Sequence, residues 1–365
     1  MSLRRAACFL LMILSCFCTA FGPPTLTDSD APHKGLTLHQ IRIMYETPAP
    51  DITADAALLV NTTTGRILYA LHEHERRAPA SLTKIVTALV ALDRGRLDQA
   101  FRVRSEDLRV GSVARLEDDE KLTLQELLQI MLIPSDNAAA MTIARGLGGN
   151  VRTYVGWMND LVSRWGLKDT HLANPHGLDN DDGYSTAYDE AIIARYAMSN
   201  PAFAEIVRSP KAAVGDRLVL STNELLGSYP GAVGVKTGTT DRAGECLASA
   251  VDRPAGQALA VVLGSGDRFH DSRLLLDYFY ASYAELRIDV PATPQARYLD
   301  QDNTWHEIRL QQPLTMLIKP WQVGTATFYR RIDDIGPNPD PSKPVGALEI
   351  TLAGRYVDEV PLYAR

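Results

Sequence analysis

The sequence predicts a mixed α/β (α+β) chain with a smaller all-β region toward its C-terminal end. Three observations carry this. Residues 56–60 and 66–70 are short apolar runs flanking Asn61-Thr62-Thr63-Thr64-Gly65, which reads as a β-hairpin. Helical spacing of apolar residues then recurs from Ile85 to Met198. From about Arg287 prolines and short alternating runs take over, at 313–318, 324–329 and 346–352, with a turn-rich insert at 337–344. The length of 365 residues accommodates a catalytic domain and a smaller second one. Hydrophobic residues at 45% and charged residues at 22% are globular proportions, which excludes a disordered chain. A net charge of −7 and the lack of a basic, aromatic face argue against nucleic acid as a partner.

Residues 1–20 read as a signal peptide. Arg4 and Arg5 start it, 6–17 is apolar but short for a membrane span, and Cys18-Thr19-Ala20 offers small residues for cleavage. Ile13-Leu14-Ser15-Cys16 weakly imitates a lipoprotein site. Cys8, Cys16 and Cys18 lie in this segment, so cleavage leaves Cys246 alone and no intrachain disulfide is expected. Residues 21–51 are Pro-rich and read as a flexible lead-in. The expected domains are 52–285 and 286–365. His72 and His74 read as surface residues, and neither a metal nor an organic cofactor is expected.

The helices and strands of the larger region carry three motifs. In Pro79-Ala80-Ser81-Leu82-Thr83-Lys84 the serine and lysine stand three apart at a helix start, on one face. A lysine whose pKa is lowered can take the proton from a serine nucleophile. The bland reading is a solvated helix start. A second helix, with Thr123 as its cap and Leu124, Leu127, Leu128, Met131 and Leu132 as its stripe, ends at Pro134. Ser135 and Asn137 follow on a short break. They can cap the next helix, or face a cleft, Ser135 relaying a proton and Asn137 donating its amide to a carbonyl. In isolation capping is the favoured reading. His176 reads as a structural hydrogen-bonder in a loop, and 186–198 returns to helix. In Gly234-Val235-Lys236-Thr237-Gly238-Thr239-Thr240 a strand edge offers its backbone to an extended peptide, and Lys236 and Thr237 can bind a carboxylate. The bland reading is an edge strand protected by a lysine. Residues 247–250 and 258–263 read as strands, and 271–284 as a closing helix with Arg268 just ahead of it.

In this order the three motifs match the S-x-x-K, S-D-N and K-T-G set of class A β-lactamases and penicillin-binding proteins. With Asn174-Pro175-His176-Gly177-Leu178 and 184–189, the chain resembles the D-alanyl-D-alanine carboxypeptidases, low-molecular-mass penicillin-binding proteins. The resemblance covers roughly 56–278, and more faintly Gly346-Ala347-Leu348 and Val360-Pro361-Leu362. It implies a β-lactamase/transpeptidase-like domain, an antiparallel sheet flanked by helices, followed by a small β domain. It implies that Ser81 is acylated, with Lys84 its base and Ser135 the proton donor to the departing D-alanine. Asn137 holds the substrate amide, Lys236 sustains the positive field, and Thr237 and Arg268 bind the terminal carboxylate. The N–H groups of Ser81 and Thr239 form the oxyanion hole, beside Gly238. Position 239 is Thr where some members carry His, which bears on deacylation and substrate preference.

Partners implied are peptidoglycan stem pentapeptides and β-lactams as covalent inhibitors, in the periplasm or at the outer face of the cytoplasmic membrane. The β domain leaves open a peripheral membrane contact or one with the division or elongation machinery. Alternatives are a β-lactamase, a D,D-endopeptidase, and a non-catalytic wall-binding protein. Against the first, only Glu190, Glu205 and Glu224 lie between Asn137 and Lys236; none begins Glu-x-x-x-Asn, and Glu190 is expected on the solvated face of its helix. Against the second, the β domain is usually lacking in such relatives. Against the third, every motif residue is present. No amphipathic helix is read at the C-terminal end.

Overall fold

The computed structural model describes residues 46–290, 296–333 and 339–365. The expected signal peptide with its three cysteines, and 21–45 of the expected lead-in, lie outside these. The central sheet has five antiparallel strands: β1 (Ala56–Asn61), β2 (Ile67–Leu71), β3 (Ala232–Thr240), β4 (Gly244–Arg253) and β5 (Gly256–Ser265). Their order is β2–β1–β5–β4–β3, so the hairpin read from the sequence sits beside strands from far along the chain. The K-T-G strand β3 is an edge, as expected.

Every residue of β1 is buried, and its side chains alternate between two apolar cores. Ala56, Leu58 and Val60 enter the core shared with most of the helices. Ala57 and Leu59 enter the core of the closing helix. Strand β5 does the same with Leu259, Val261 and Leu263 on one side and Ala258, Ala260 and Val262 on the other. The sheet is therefore covered on both faces, which explains why these segments read as unbroken apolar runs.

Between β2 and β3 lie α1 (Thr83–Arg94), α2 (Leu124–Leu132), α3 (Asn137–Gly148), α4 (Val151–Arg164), α5 (Ala187–Met198) and α6 (Pro201–Val207). Helix α1 is central, and even its polar residues Thr83, Lys84 and Thr87 are buried. Helix α2 starts with a capping box between Thr123 and Glu126, in which each side chain satisfies a backbone N–H of the other. The closing helix α7 (Arg268–Ser282) buries Leu275, Leu276 and Phe279 against the far face of the sheet. It begins at Arg268 rather than after it, because Asp267 caps it through Phe269 and His270. Ala284, expected in that helix, instead opens a strand.

That strand, β6 (Ala284–Ile288), is followed by β7 (Arg297–Leu299), β8 (Trp305–Arg309), β9 (Leu314–Ile318), β10 (Ala326–Ile332), β11 (Pro344–Leu352) and β12 (Arg355–Ala364). β6 pairs with β9, and the rest form a sheet in the order β7–β8–β12–β11–β10. Ile308, Leu348, Ile350 and Leu362 centre a separate apolar core. This is the all-β region expected from the alternating runs.

One expectation is corrected here. Glu190 is not on a solvated face; it is 1% exposed. The outward strip of α5 is Tyr188, Ile192, Arg195 and Tyr196, and Glu190 points about half a turn away from it. Burial pushes its carboxyl up to about 8, with the Ser185 hydroxyl beside it opposing the shift.

Candidate active site

Ser81 does not cap a helix. It sits in a 3₁₀ turn, Ala80–Leu82, that leads into α1. Ala80 is held at φ +48°, a conformation that costs a non-glycine residue on the order of 1–3 kcal/mol. Two glycines allow the neighbouring chain to close on this turn. A Cβ on Gly177 would stand 1.9 Å from the Ala80 carbonyl oxygen. A Cβ on Gly238 of β3 would stand 3.0 Å from the Ser81 nitrogen and 3.2 Å from the Pro79 oxygen. The edge strand thus passes in direct contact with the serine, and Thr239, the next residue along it, is exposed.

Lys84 is fully buried one turn after Ser81. Its Nζ lies 2.7 Å from Ser81 Oγ, 2.7 Å from Asn137 Oδ1 and 2.6 Å from the His176 carbonyl oxygen. Burial lowers this amine to about 7, and the nearby Asp136 carboxylate only partly opposes the shift. A neutral amine has two N–H donors and one lone pair. Asn137 and His176 offer only acceptors, while the serine can donate. In the neutral state the lone pair therefore faces the Ser81 hydroxyl.

The break after α2 resolves the two readings of Ser135 and Asn137. Neither caps α3. Asp136 does so, accepting from the Ala139 N–H, and its other oxygen accepts from Ser112 Oγ and the Ala114 N–H. Asn137 is thereby free to accept from Lys84, while its Nδ2 donates to the Val110 carbonyl at 3.3 Å. Ser135 has φ +69°, and among the described residues its hydroxyl has no hydrogen-bond partner.

Lys236 is 1% exposed, and its Nζ donates to the Thr237 carbonyl at 3.0 Å. Its pKa is lowered by burial first, then by the charges of Lys84 and Arg268. Thr237 Oγ1 is hydrogen-bonded to Thr222 Oγ1. Arg268 is engaged by the protein itself. Its Nη1 donates to the Gly238 carbonyl at 2.7 Å, and its Nη2 pairs with Glu245 at 3.0 Å. Among the described residues its buried Nε has no hydrogen-bond partner. Lys236 and Arg268 place two basic side chains along one short strand, an environment suited to a carboxylate ligand.

The family model described as D-alanyl-D-alanine carboxypeptidase matches residues 44–267. The chain belongs to this family. It is 33% identical over 244 residues to D-alanyl-D-alanine carboxypeptidase DacF of Bacillus subtilis, a match spanning 63% of this chain and 63% of that protein, less than two thirds of the relative's length. Penicillin binding protein 5 of Haemophilus influenzae superposes with a TM-score of 0.72 over 87% of this chain and 98% of that one, at 23% identity, which shows a shared fold with antiparallel sheets and a C-terminal β domain. The Streptomyces K15 DD-transpeptidase superposes with a TM-score of 0.61 at 30% identity, covering 64% of this chain and 98% of that one.

Three groups that hold the motif residues in place were not singled out from the sequence. The His176 carbonyl holds Lys84, although only the His176 side chain was weighed; that ring instead accepts from the Leu178 N–H, and burial lowers it to about 4. Thr222 braces Thr237, and Glu245 holds Arg268. A backbone acceptor carries no side-chain signal, and neither Thr222 nor Glu245 belongs to a motif.

Proposed function

We propose that this protein is a serine-type D-Ala-D-Ala carboxypeptidase that removes the terminal D-alanine from peptidoglycan stem pentapeptides. The observation that carries the reading is the Lys84 geometry: a buried amine lowered to about 7, with its lone pair free only toward Ser81 Oγ. In the proposed cycle Ser81 Oγ attacks the carbonyl of the penultimate D-alanine and its proton passes to Lys84 Nζ. The oxyanion is met by the N–H groups of Ser81 and Thr239. The C–N bond breaks as Ser135 delivers a proton to the leaving D-alanine nitrogen and takes one in turn from the Lys84 ammonium, which restores the free amine. Water, with Lys84 again as base, hydrolyses the ester and restores Ser81. Asn137 holds the substrate amide, and Lys236, Thr237 and Arg268 attract its terminal carboxylate.

β-Lactams acylate Ser81 by the same attack. Glu190 is buried and protonated up to about pH 8, which does not suit it to activate water as a β-lactamase glutamate would. The protein is proposed to act after export, in the periplasm or at the outer face of the cytoplasmic membrane. Among the described residues no helix is long and apolar enough to cross a membrane. The C-terminal β domain is proposed as a contact module toward the membrane surface or the wall-synthesis machinery.

The test is D-alanine release from a pentapeptide ending in D-Ala-D-Ala, with Ser81→Ala as control. Release that vanishes in the variant supports both the activity and the nucleophile. No release by folded wild-type protein sinks the reading.

A further inference from the structure

A cavity of about 310 Å³ opens beside the turn that leaves β3. Arg76, Arg77 and Arg242 line it with Tyr184 and Asp181, and Ala78 and Ala243 complete the wall. Ala78 precedes Ser81 by three residues, and Arg242 lies in the turn that leaves β3 just past Thr240. The cavity therefore lies past the Thr240 end of β3, beyond Lys236 and Thr237, and its wall at Ala78 is three residues along the chain from the nucleophile.

Its cations differ in how firmly they are held. Arg76 is fixed by two bonds to Asp169, at 3.0 and 2.8 Å, with its guanidinium 4.5 Å above the Tyr184 ring. Arg77 is held by Glu75 and Asp55. Arg242 is held only loosely. Its guanidinium meets Asp181 at 3.2 Å and the Asn180 carbonyl at 3.3 Å, and the Asp181 side chain is fully exposed. The turn that carries Arg242 is separately fixed, because Asp179 accepts from the Arg242 N–H and from Thr240 Oγ1. An exposed ion pair of this kind is worth little, so a ligand carboxylate can replace Asp181 at small cost. It would then meet an arginine fork of matching geometry in a wall of three cations.

A peptide laid along β3 with its terminal carboxylate at Lys236 and Thr237 advances about 3.3 Å per residue toward Arg242. The part that reaches the cavity is the acyl side, two or three residues ahead of the terminal D-alanine. We propose that this cavity is a subsite for a free carboxylate on that upstream part of the stem peptide. It makes the enzyme selective for acidic over amidated stems, and Arg242 is the exchangeable contact. This inference rests on the carboxypeptidase reading.

The experiment compares D-alanine release from two N-acetylated pentapeptides ending in D-Ala-D-Ala, one with free upstream carboxylates and one with those carboxylates amidated. The wild-type protein is expected to favour the acidic peptide in kcat/KM by about tenfold. Arg242→Gln is expected to bring that ratio toward one, and Asp181→Asn to raise it. The ratio is internal, so a general loss of folding lowers both rates and leaves it in place. A wild-type ratio of one, or a ratio that neither variant moves, overturns the subsite while the carboxypeptidase activity stands. No release from either peptide overturns the activity itself, and the subsite with it.

Discussion

The protonation of Lys84 makes the sharpest prediction. Burial takes this amine from its ordinary 10.5 to about 7. That displacement corresponds to about 5 kcal/mol of lost preference for the ammonium. At pH 7 about half of the molecules then carry the free amine, against roughly one in three thousand for an unshifted lysine. Acylation of Ser81 should follow the free-amine fraction. Its rate is expected to rise about tenfold per pH unit below the inflection and to level off above about pH 7. Single-turnover acylation by a fluorescent penicillin, followed from about pH 5 to about pH 9, reads this directly. Asp136→Asn supplies the second arm. The Asp136 charge is what raises Lys84 against burial, and asparagine keeps an oxygen for the Ala139 N–H. The inflection should move to lower pH in this variant. A wild-type profile that is flat over the whole range, or an inflection near the ordinary lysine value, refutes the assignment of Lys84 as base.

Three further outcomes follow from the packing around the site. Gly238→Ala places a Cβ 3.0 Å from both the Ser81 nitrogen and Ala80 Cβ, so it should cost about 1–3 kcal/mol in a denaturant titration and slow acylation by at least about tenfold; wild-type acylation in this variant would contradict the contact. Glu245→Gln removes the ionic partner of Arg268 and should lower KM for D-Ala-D-Ala peptides by about two- to fivefold, because the arginine charge becomes available to the substrate carboxylate; a higher KM would show instead that Glu245 positions Arg268. Glu190 is raised from 4.5 to about 8, so it binds more protons folded than unfolded. Its contribution to stability is full below about pH 4.5 and is lost as pH rises through about 8. Glu190→Gln should flatten the fall in Tm across that window, and a fall as steep as that of the wild type would show that another group causes it.

Much of this was legible in the chain because local rules and tertiary packing agree. Thr123 and Glu126 form the capping box that their spacing suggests, and the 56–60 run is buried on both faces of the sheet. Ser81 and Lys84 meet because a 3₁₀ turn running into a helix brings residues three apart onto one face. The motif on β3 was legible for a different reason, since Gly238 marks a close approach that only the folded partner, Ser81, explains. The failures are tertiary. Glu190 was placed outward because a charged residue is usually exposed, whereas helix α5 buries its Asp189–Glu190 side and leaves Tyr188, Ile192 and Tyr196 outward. The use of Asp136 as the cap, which frees Asn137 for Lys84, depends on a loop that returns Ser112 and Ala114 to the same carboxylate. Nothing in the local sequence announces that return.

The strand order also governs how the molecule comes into being. Leu58 pairs with Val261, and all the segments that carry Ser81, Lys84, Ser135 and Asn137 are made between them. The first strand must wait for the last one of its sheet before it has its central neighbour, a long-range pairing of the kind that slows folding. The helical body can gather while the chain is still incomplete, but β3 brings Lys236 and Thr237 only as the sheet closes. The reactive centre is therefore among the last features to form. Covalent capture of a penicillin should report completion of the whole central sheet, and partly folded chains, although already carrying an ordered helix α1, should escape acylation.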